Sequence, residues 1–337
     1  ASGKTDLAID IYDSSAIEII SVDSVMVYKG CDIGSAKPNK EILRKYPHHL
    51  VNCIEPESIF TVSDFYKQSI KLINSIHERE KIPVFVGGTM MYFKSLLNGL
   101  DDLPERDNEI RENLEKIILT KGIKELHLML IDKDINYANQ VNELDEQRIV
   151  RALEVIEITG KSFSSQIGLN SEANLSNRFN VHQYGIFEDD RSLIHSRIEQ
   201  RLKQIIKSGL LDEVSSLLKK YNISENHPIR KSVNYKQAIA RINNEYDDSE
   251  FFDRALFATR QLAKRQTTWM RSWKDLKKYK PQEWNEIVAI VKDGVAHCTC
   301  NGEMLNAEFK VPASGPIGLE GDRGQMEYRR IRVKELE

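Results

Sequence analysis

Gly3, Lys4 and Thr5, near the start of the chain, are residue types that together bind phosphate groups. They match the end of the phosphate-loop pattern G-x-x-x-x-G-K-[ST], in which backbone N–H groups and a helix N-terminus attract the anion. Lys4 would add a positive charge, and the Thr5 hydroxyl would ligate Mg²⁺ that bridges phosphate oxygens. Because only half of the pattern is present, a chance Gly-Lys-Thr at a helix start is an open alternative.

Asp23 and Thr89 are polar residues that follow predicted strands, residues 17–22 and 82–86. Asp23 could accept a proton from a nucleophile that attacks a phosphorylated substrate. The alternative, which its position favours less, is that it caps a helix or holds Mg²⁺ through water. Because ligands of parallel α/β sheets bind at the carboxyl ends of strands, we expect Lys4, Asp23 and Thr89 to converge on one crevice.

Alternating strands and helices must position these residues. A helix is predicted within residues 62–80, so strand and helix alternate as in a parallel α/β sheet of the phosphate-loop type. The strand that normally precedes a phosphate loop would lie before Ala1, so we expect the first strand to be missing. Residues 105–177 predict a charged helical insertion, 179–187 a return to the sheet, and 190–275 further helices.

The last part of the chain differs in composition. Six of the 17 glycines lie in the final 44 residues, where strand-like alternation replaces helical spacing. We therefore divide the chain into a core in two parts, a helical insertion and a β-rich fragment: 1–104 and 179–280, 105–178, and 281–337.

Charge and hydrophobicity exclude some classes of protein. With 48 Lys and Arg against 51 Asp and Glu, the net charge of −3 excludes a uniformly basic nucleic-acid binder. Residues 260–280 nevertheless carry eight Lys and Arg, one acid and interleaved aromatics, which suits a nucleic-acid backbone or, alternatively, a solvated helix face with its tryptophans in the core. No apolar run reaches about 18 residues, so no transmembrane helix is predicted, and the few scattered cysteines indicate a cytoplasmic protein.

Six motifs in order resemble the tRNA dimethylallyltransferases, the tRNA isopentenylpyrophosphate transferase family. They are A-S-G-K-T at 1–5, S-V-D-S at 21–24, V-Y-K-G-C-D-I-G-S-A-K-P at 27–38, V-G-G-T-M-M-Y-F at 86–93, D-E-Q-R-I-V-R-A-L-E-V at 145–155 and R-Q-L-A-K-R-Q-T-T-W at 260–269. The resemblance covers about residues 1–275. On the residues alone, the segment 28–38 is either a polyanion-binding loop or a plain surface loop.

The resemblance implies transfer of a dimethylallyl group from dimethylallyl diphosphate to N6 of the adenine that follows the anticodon in tRNA. It implies Mg²⁺ on Thr5, Asp23 as general base, Lys4 and Thr89 as further catalytic residues, and a monomer. The diphosphate would bind to the residues of the loop and to one distant lysine: Ala1, Ser2, Gly3, Lys4, Thr5 and Lys231.

By the same resemblance, the anticodon stem-loop of tRNA would bind residues from five segments. They are Asp23, Ser24, Val25, Met26, Thr89, Arg111, Gln147, Arg148, Ile149, Val150, Arg151, Lys231, Ser232, Val233, Asn234, Tyr235 and Lys236. Asn234 stands where the family usually has Gly, so the turn there departs from the pattern, although Asn tolerates positive φ better than most residues.

The end of the chain departs from the family. Residues 284–337 resemble the last strands of the jelly-roll domain of 3-keto-disaccharide hydrolases, which suggests a truncated enzyme joined to a foreign fragment. Two other functions are open: a phosphate-loop transferase or kinase that acts on a free adenine nucleotide, and an inactive truncated fusion.

Overall fold

The computed structural model describes residues 2–168, 174–280, 287–292, 295–300 and 303–310, with the backbone alone in the last three ranges. The chain forms two compact units. The first unit contains residues 1–93 and the chain from 182 onward, and the second contains residues 94–181. No helix in the described ranges is long and apolar enough to cross a bilayer.

A three-stranded parallel sheet is the centre of the first unit, so the predicted parallel α/β fold is confirmed. The strands β1 (Ile17–Val22), β2 (His48–His49) and β3 (Ile82–Gly87) lie in the order β2-β1-β3. β1 is almost entirely buried, as expected for a parallel strand covered on both faces. Val22 pairs with Gly87, so the carboxyl ends of β1 and β3 lie side by side.

Four helices accompany this sheet: α1 (Lys4–Ser14), α2 (Lys40–Lys45), α3 (Val62–Glu78) and α4 (Met90–Asn98). Ala8 of α1 packs against Ile17 and Ile19 of β1. α3 begins with a capping box, in which Thr61 and Asp64 satisfy each other's backbone N–H groups.

The predicted return of residues 179–187 to the sheet is wrong within the described residues. The strand β4 (Tyr184–Ile186) instead pairs in parallel with β5 (Lys277–Tyr279) as a separate two-stranded sheet. This pairing satisfies the backbone groups of β4, and the Trp273 indole N–H donates to Gln183 Oε1 at 2.7 Å beside it.

Five helices connect β4 to β5, as the periodicity of residues 190–275 predicts. They are α9 (Arg191–Lys207), α10 (Leu210–Lys220), α11 (Pro228–Lys231), α12 (Tyr235–Ile242) and α13 (Asp248–Ser272).

In the part of the second unit that the structure describes, the chain forms helices joined by loops. Its main helices are α5 (Asn108–Lys121), α6 (Ile123–Lys133), α7 (Ile135–Ala138) and α8 (Glu146–Thr159). Leu126, Leu130, Ile149 and Leu153 are buried in its own hydrophobic core. Because the unit has a core of its own, it does not depend on the sheet for its burial of apolar surface.

Three antiparallel strands lie in the last part of the chain, in the order β6-β7-β8. They are β6 (Ile287–Lys292), β7 (Val295–Cys300) and β8 (Glu303–Lys310). Residues 311–337 of the predicted β-rich fragment lie outside the described residues. The resemblance of this part to a jelly-roll fragment stays a prediction.

Candidate active site

The short segment Ser2–Gly3, which the sequence predicts to bind phosphate, leads directly into α1. Gly3 precedes the helix with φ 78°, a left-handed conformation that glycine adopts without steric cost. The first N–H groups of the 11-residue helix α1 follow it directly. Lys4 Nζ lies 3.1 Å from Ser2 Oγ, so the ammonium group is held beside the loop. Ala1 lies outside the described residues.

Asp23 forms a tight turn at the end of β1. Its Oδ1 accepts hydrogen bonds from the backbone N–H groups of Val25 at 2.8 Å and Met26 at 3.1 Å. These bonds fix the direction of the carboxylate, and the described residues provide no hydrogen-bond donor to Oδ2. The Asp23 carboxylate therefore forms the turn with Oδ1 and leaves Oδ2 without a donor among the described residues.

Thr89 lies beside Asp23, as the sequence predicts. The hydroxyl oxygen of Thr89 accepts a hydrogen bond from the Ser24 backbone N–H at 3.2 Å, which leaves the hydroxyl hydrogen able to point to a ligand. The backbone N–H groups of Gly88 and Thr89 both donate to Val22 O at 3.2 Å. The ends of β1 and β3 are thus joined by hydrogen bonds at the point where both polar residues emerge.

Gly87 permits the close approach of the strand ends, and Gly88 permits the approach of a side chain from α13. A Cβ atom at Gly87 would lie 2.0 Å from Val22 O, and one at Gly88 would lie 2.6 Å from the side-chain nitrogen of Gln266. Gln266, on α13, donates to Gly88 O at 2.9 Å. Gln266 lies within the 260–269 motif, but its residue type alone did not predict this contact with the end of β3.

Electrostatic interactions connect Lys4 with Asp23 and with Arg201 of α9. Burial lowers the pKa of Lys4, the Arg201 cation lowers it further, and the Asp23 carboxylate opposes both effects. Two cations and one carboxylate therefore act on the same region, which favours an anionic ligand with a neighbouring proton acceptor. Arg201 was not predicted, because an isolated Arg on an amphipathic helix is usually a solvated surface residue.

The loop of residues 28–38 is held rigidly by one carboxylate. Glu213 of α10 accepts hydrogen bonds from the backbone N–H groups of Asp32, Ile33 and Gly34 at 3.0, 2.6 and 3.0 Å. The Tyr235 hydroxyl also donates to Glu213, at 2.7 Å. These contacts fix the loop in place within the first unit. From the sequence alone, a plain surface loop was one of the two alternatives for this segment.

The predicted segment 231–236 contains exposed and buried residues. Lys231 and Lys236 are exposed, whereas Tyr235 is 1% exposed. The structure does not support direct RNA contact by the Tyr235 side chain, because it lies in the core with its hydroxyl on Glu213. Ser232 donates to Ile229 O, and Val233 is partly buried.

Asn234 keeps the turn that the family pattern assigns to Gly. Its φ is 72°, which is uncommon for a residue with a Cβ atom. Its side-chain N–H donates to Gly34 O at 2.9 Å, a bond between segments 200 residues apart. The substitution therefore adds a tertiary contact, and the turn survives.

In the second unit, the predicted tRNA-binding residues also divide by burial. Gln147 and Arg148 are exposed on α8, whereas Ile149 and Val150 lie in the core, so direct RNA contact by these two apolar side chains is not supported. Arg151 donates to Glu154 and to Pro104 O.

Arg111 is held by the fully buried Glu154. The guanidinium group of Arg111 donates two hydrogen bonds to this carboxylate, at 2.7 and 2.9 Å, and Arg151 donates a third at 2.6 Å. Burial raises the pKa of Glu154, but these hydrogen bonds outweigh it, so the net pKa is lowered. The two arginines are therefore structural within this unit, in addition to any role in RNA binding.

Comparison with known proteins gives a consistent result. The sequence model of a family described as IPP transferase matches residues 26–273. A tRNA dimethylallyltransferase of Francisella philomiragia subsp. philomiragia is 44% identical over 275 residues, which is 82% of this chain and 89% of the relative. One of Acinetobacter baumannii is 41% identical over 285 residues, 83% and 90% of the two chains.

Solved structures agree with the sequence relatives. A tRNA isopentenylpyrophosphate transferase from Bacillus halodurans matches with a TM-score of 0.60 and 29% identity over 83% of this chain and 87% of that one. A eukaryotic dimethylallyltransferase acting on tRNA matches with a TM-score of 0.70 over 85% and 73% of the chains, and at 22% identity it shows the shared fold. The chain belongs to the IPP transferase family.

Proposed function

We propose that this protein transfers a dimethylallyl group from dimethylallyl diphosphate to N6 of the adenine that follows the anticodon in tRNA. The observation that supports this most is the joining of the ends of β1 and β3, which puts Asp23 beside Thr89 while Lys4 and Arg201 act electrostatically on the same region. Family membership supports the reaction class, and the geometry supports the roles that we assign to these residues.

The diphosphate would bind to the turn of Ser2, Gly3 and Thr5 at the N-terminus of α1, and to the cations Lys4 and Arg201. As the allylic C–O bond breaks, negative charge grows on the diphosphate, and fixed cations stabilise that charge. The Thr5 hydroxyl and the diphosphate oxygens are hard oxygen donors that suit Mg²⁺, which would neutralise part of this charge when bound.

The nucleophile is the exocyclic amine of the adenine, which bonds to the allylic carbon as the diphosphate leaves. Asp23 would take the amine proton on Oδ2, because its Oδ1 is occupied by two backbone donors. Thr89 would orient the amine or the base with its hydroxyl. An adenine within a tRNA loop must leave its stack to reach such a carboxylate, so base extrusion belongs to this proposal.

We propose that tRNA is bound directly by the exposed residues among the predicted RNA contacts and by the partly buried Ser24. The exposed residues are Gln147, Arg148, Lys231 and Lys236. Val25 and Met26, partly buried in the Asp23 turn, would line the adenine channel. The side chain of Lys231 has no hydrogen-bond or ion-pair partner among the described residues, which leaves its charge available for a phosphate. We further propose that the enzyme acts as a cytoplasmic monomer.

The test uses labelled dimethylallyl diphosphate with an unmodified tRNA transcript that carries adenine after the anticodon. We expect label in the tRNA, and none in a matched transcript with guanine at that position. Label in free AMP in preference to tRNA would support the alternative of a nucleotide-specific transferase. Absence of label from both, with diphosphate binding intact, would contradict the proposal.

A further inference from the structure

A cavity of about 740 Å³ lies in the first unit, between the loop that follows β1 and the helix α9. Its lining combines cations, amides and a few apolar side chains. The residues used below are Ile33, Lys37, Lys40, Leu43, Arg197 and Arg201. The volume falls in the range of small-molecule sites, which is roughly 300–1,000 Å³.

The loop side of this cavity is fixed by several independent hydrogen bonds. Besides the three backbone bonds to Glu213, the ammonium group of Lys37 is almost fully buried and donates to Tyr28 O at 2.8 Å and to Asn52 Oδ1 at 2.6 Å. Arg201 Nη2 donates to Ala36 O at 3.3 Å across the cavity. A wall held in this way is preformed, so little ordering free energy is required when a ligand binds.

The charges of the lining do not cancel. Lys37 and Asp32 form an ion pair at 2.7 Å and neutralise each other. Arg197, Lys40 and Arg201 have no carboxylate partner among the described residues. Three uncompensated cations around a concave surface attract an anion, and guanidinium groups suit phosphate oxygens in particular.

Arg201 joins this cavity to the diphosphate loop, because its charge also acts on Lys4. Ile33 and Leu43 add an apolar surface beside the cations. A cationic end with an apolar wall matches a small phosphorylated molecule better than an RNA backbone, which is polar along its length.

We propose that this cavity is a second anion site, which binds the diphosphate group of a small molecule through Arg197, Lys40 and Arg201. The apolar wall takes the remainder of the ligand, either a prenyl chain or a nucleoside. The inference rests on the proposed function only for Arg201.

Titration calorimetry with inorganic diphosphate tests the number of sites. We expect two binding events on the unaltered chain and one on Lys4→Ala. The Arg197→Gln variant should weaken one event about tenfold, because it removes a charged hydrogen-bond donor. Arg191→Gln, an equal change of an exposed Arg on the same helix, is the control and should leave both events unchanged.

A single event on the unaltered chain, or two events that neither Arg197→Gln nor Lys40→Gln alters, would overturn the proposal. Circular dichroism shows whether each variant folds. Because Lys40 is exposed, the Lys40→Gln variant provides a second test. If Arg197→Gln weakens tRNA binding and leaves diphosphate binding unchanged, the cavity is an RNA contact and the proposal is wrong.

Titration of Lys4→Ala with ADP and with dimethylallyl diphosphate distinguishes the two sources of the diphosphate group. Tighter ADP binding assigns the apolar wall to a nucleoside, and tighter binding of the prenyl compound assigns it to the isoprenoid. Failure of prenyl transfer to tRNA would contradict the proposed function. The titrations would still show whether the second anion site exists, because they measure binding and not transfer.

Discussion

Asp23 has two roles at the scale of a single residue, and they can be separated. One carboxylate oxygen closes the turn after β1, and the other is available to a substrate. A change to Ala would remove both roles together. A change to Asn keeps an oxygen for the turn and removes the capacity to take a proton.

Asp23→Asn should therefore lower prenyl transfer by about 10²–10⁴-fold, the usual contribution of a general base. Single-turnover transfer of label to tRNA measures the rate, and filter binding measures tRNA affinity, which we expect to stay within about twofold because the turn is kept. Near-normal turnover would remove Asp23 from the base role.

Asn234 allows a test of backbone strain against a tertiary hydrogen bond. Asn234→Gly and Asn234→Ala both lose the hydrogen bond to Gly34 O, but only Gly adopts φ 72° without steric strain. Asn234→Ala should thus be less stable than Asn234→Gly by about 1 kcal/mol in urea unfolding. Equal stabilities would show that this turn is not strained.

At the scale of elements, α13 supports the end of β3 although the two are far apart in sequence. The contact is the bond from Gln266 to Gly88 O, next to Thr89. Gln266 touches no reacting atom in this arrangement, so we regard it as a positioning residue.

Gln266→Leu should lower kcat about tenfold and leave the KM for dimethylallyl diphosphate nearly unchanged, since a lost hydrogen bond at the β3 end misplaces Thr89. Gln261→Leu on the same helix is the matched control. Steady-state kinetics on both variants measures kcat and KM separately. A rise of KM in proportion to the fall of kcat would indicate a binding role instead.

A second element-scale contact is the ion network of Glu18 on β1. Glu18 accepts bonds from Arg79 at 2.8 and 2.9 Å and from His49 at 2.7 Å, and Lys81 lies 3.4 Å away. The bonds from Arg79 contribute most, and the pKa of Glu18 falls to about 2.

Because the pKa of Glu18 is lower in the folded state, its stabilisation is complete above the ordinary pKa of 4.5 and is lost as pH falls toward about 2. Glu18→Gln should cost about 2 kcal/mol at pH 7, allowing for the partly exposed partners, and much less near pH 2.5. Urea unfolding at both pH values measures this, and an equal cost at both would contradict the network's role.

At the scale of the whole molecule, a net charge of −3 coexists with a basic surface at the end of α13 and beyond. Lys264, Arg265, Lys274 and Lys278 are exposed there, so the excess charge faces solvent and is not buried in the core. A surface of this kind binds phosphates through release of counterions.

Binding of tRNA should therefore weaken steeply with salt. Changing Lys264 and Arg265 together to Gln should reduce the slope of log K against log[salt] by roughly 1–2, with the same double change at Lys219 and Lys220 of α10 as control. Fluorescence anisotropy over a range of KCl concentrations gives the slope. Equal slopes for the two double variants would exclude this surface from the RNA contact.

The sequence by itself determined the parallel α/β fold, the helical nature of residues 190–275 and the identity of Lys4, Asp23 and Thr89 as the residues to examine. Local patterns suffice for these, because strand hydrophobicity, helical spacing and the polar residues after strands are properties of short segments. The ordered motifs added the family, which the comparisons confirm.

Only the tertiary structure decided which side chains act together. Arg201, Glu213 and Gln266 acquire their roles from contacts or charge interactions across about 180 residues or more, which the spacing of nearby residues does not encode. Burial likewise separated Tyr235 and Ile149 from their exposed neighbours, since the side of a helix that meets a core depends on what packs against it. The pairing of β4 with β5 has the same cause: strand partners are chosen by the whole fold, because a short strand has free hydrogen-bonding groups for any edge that reaches it.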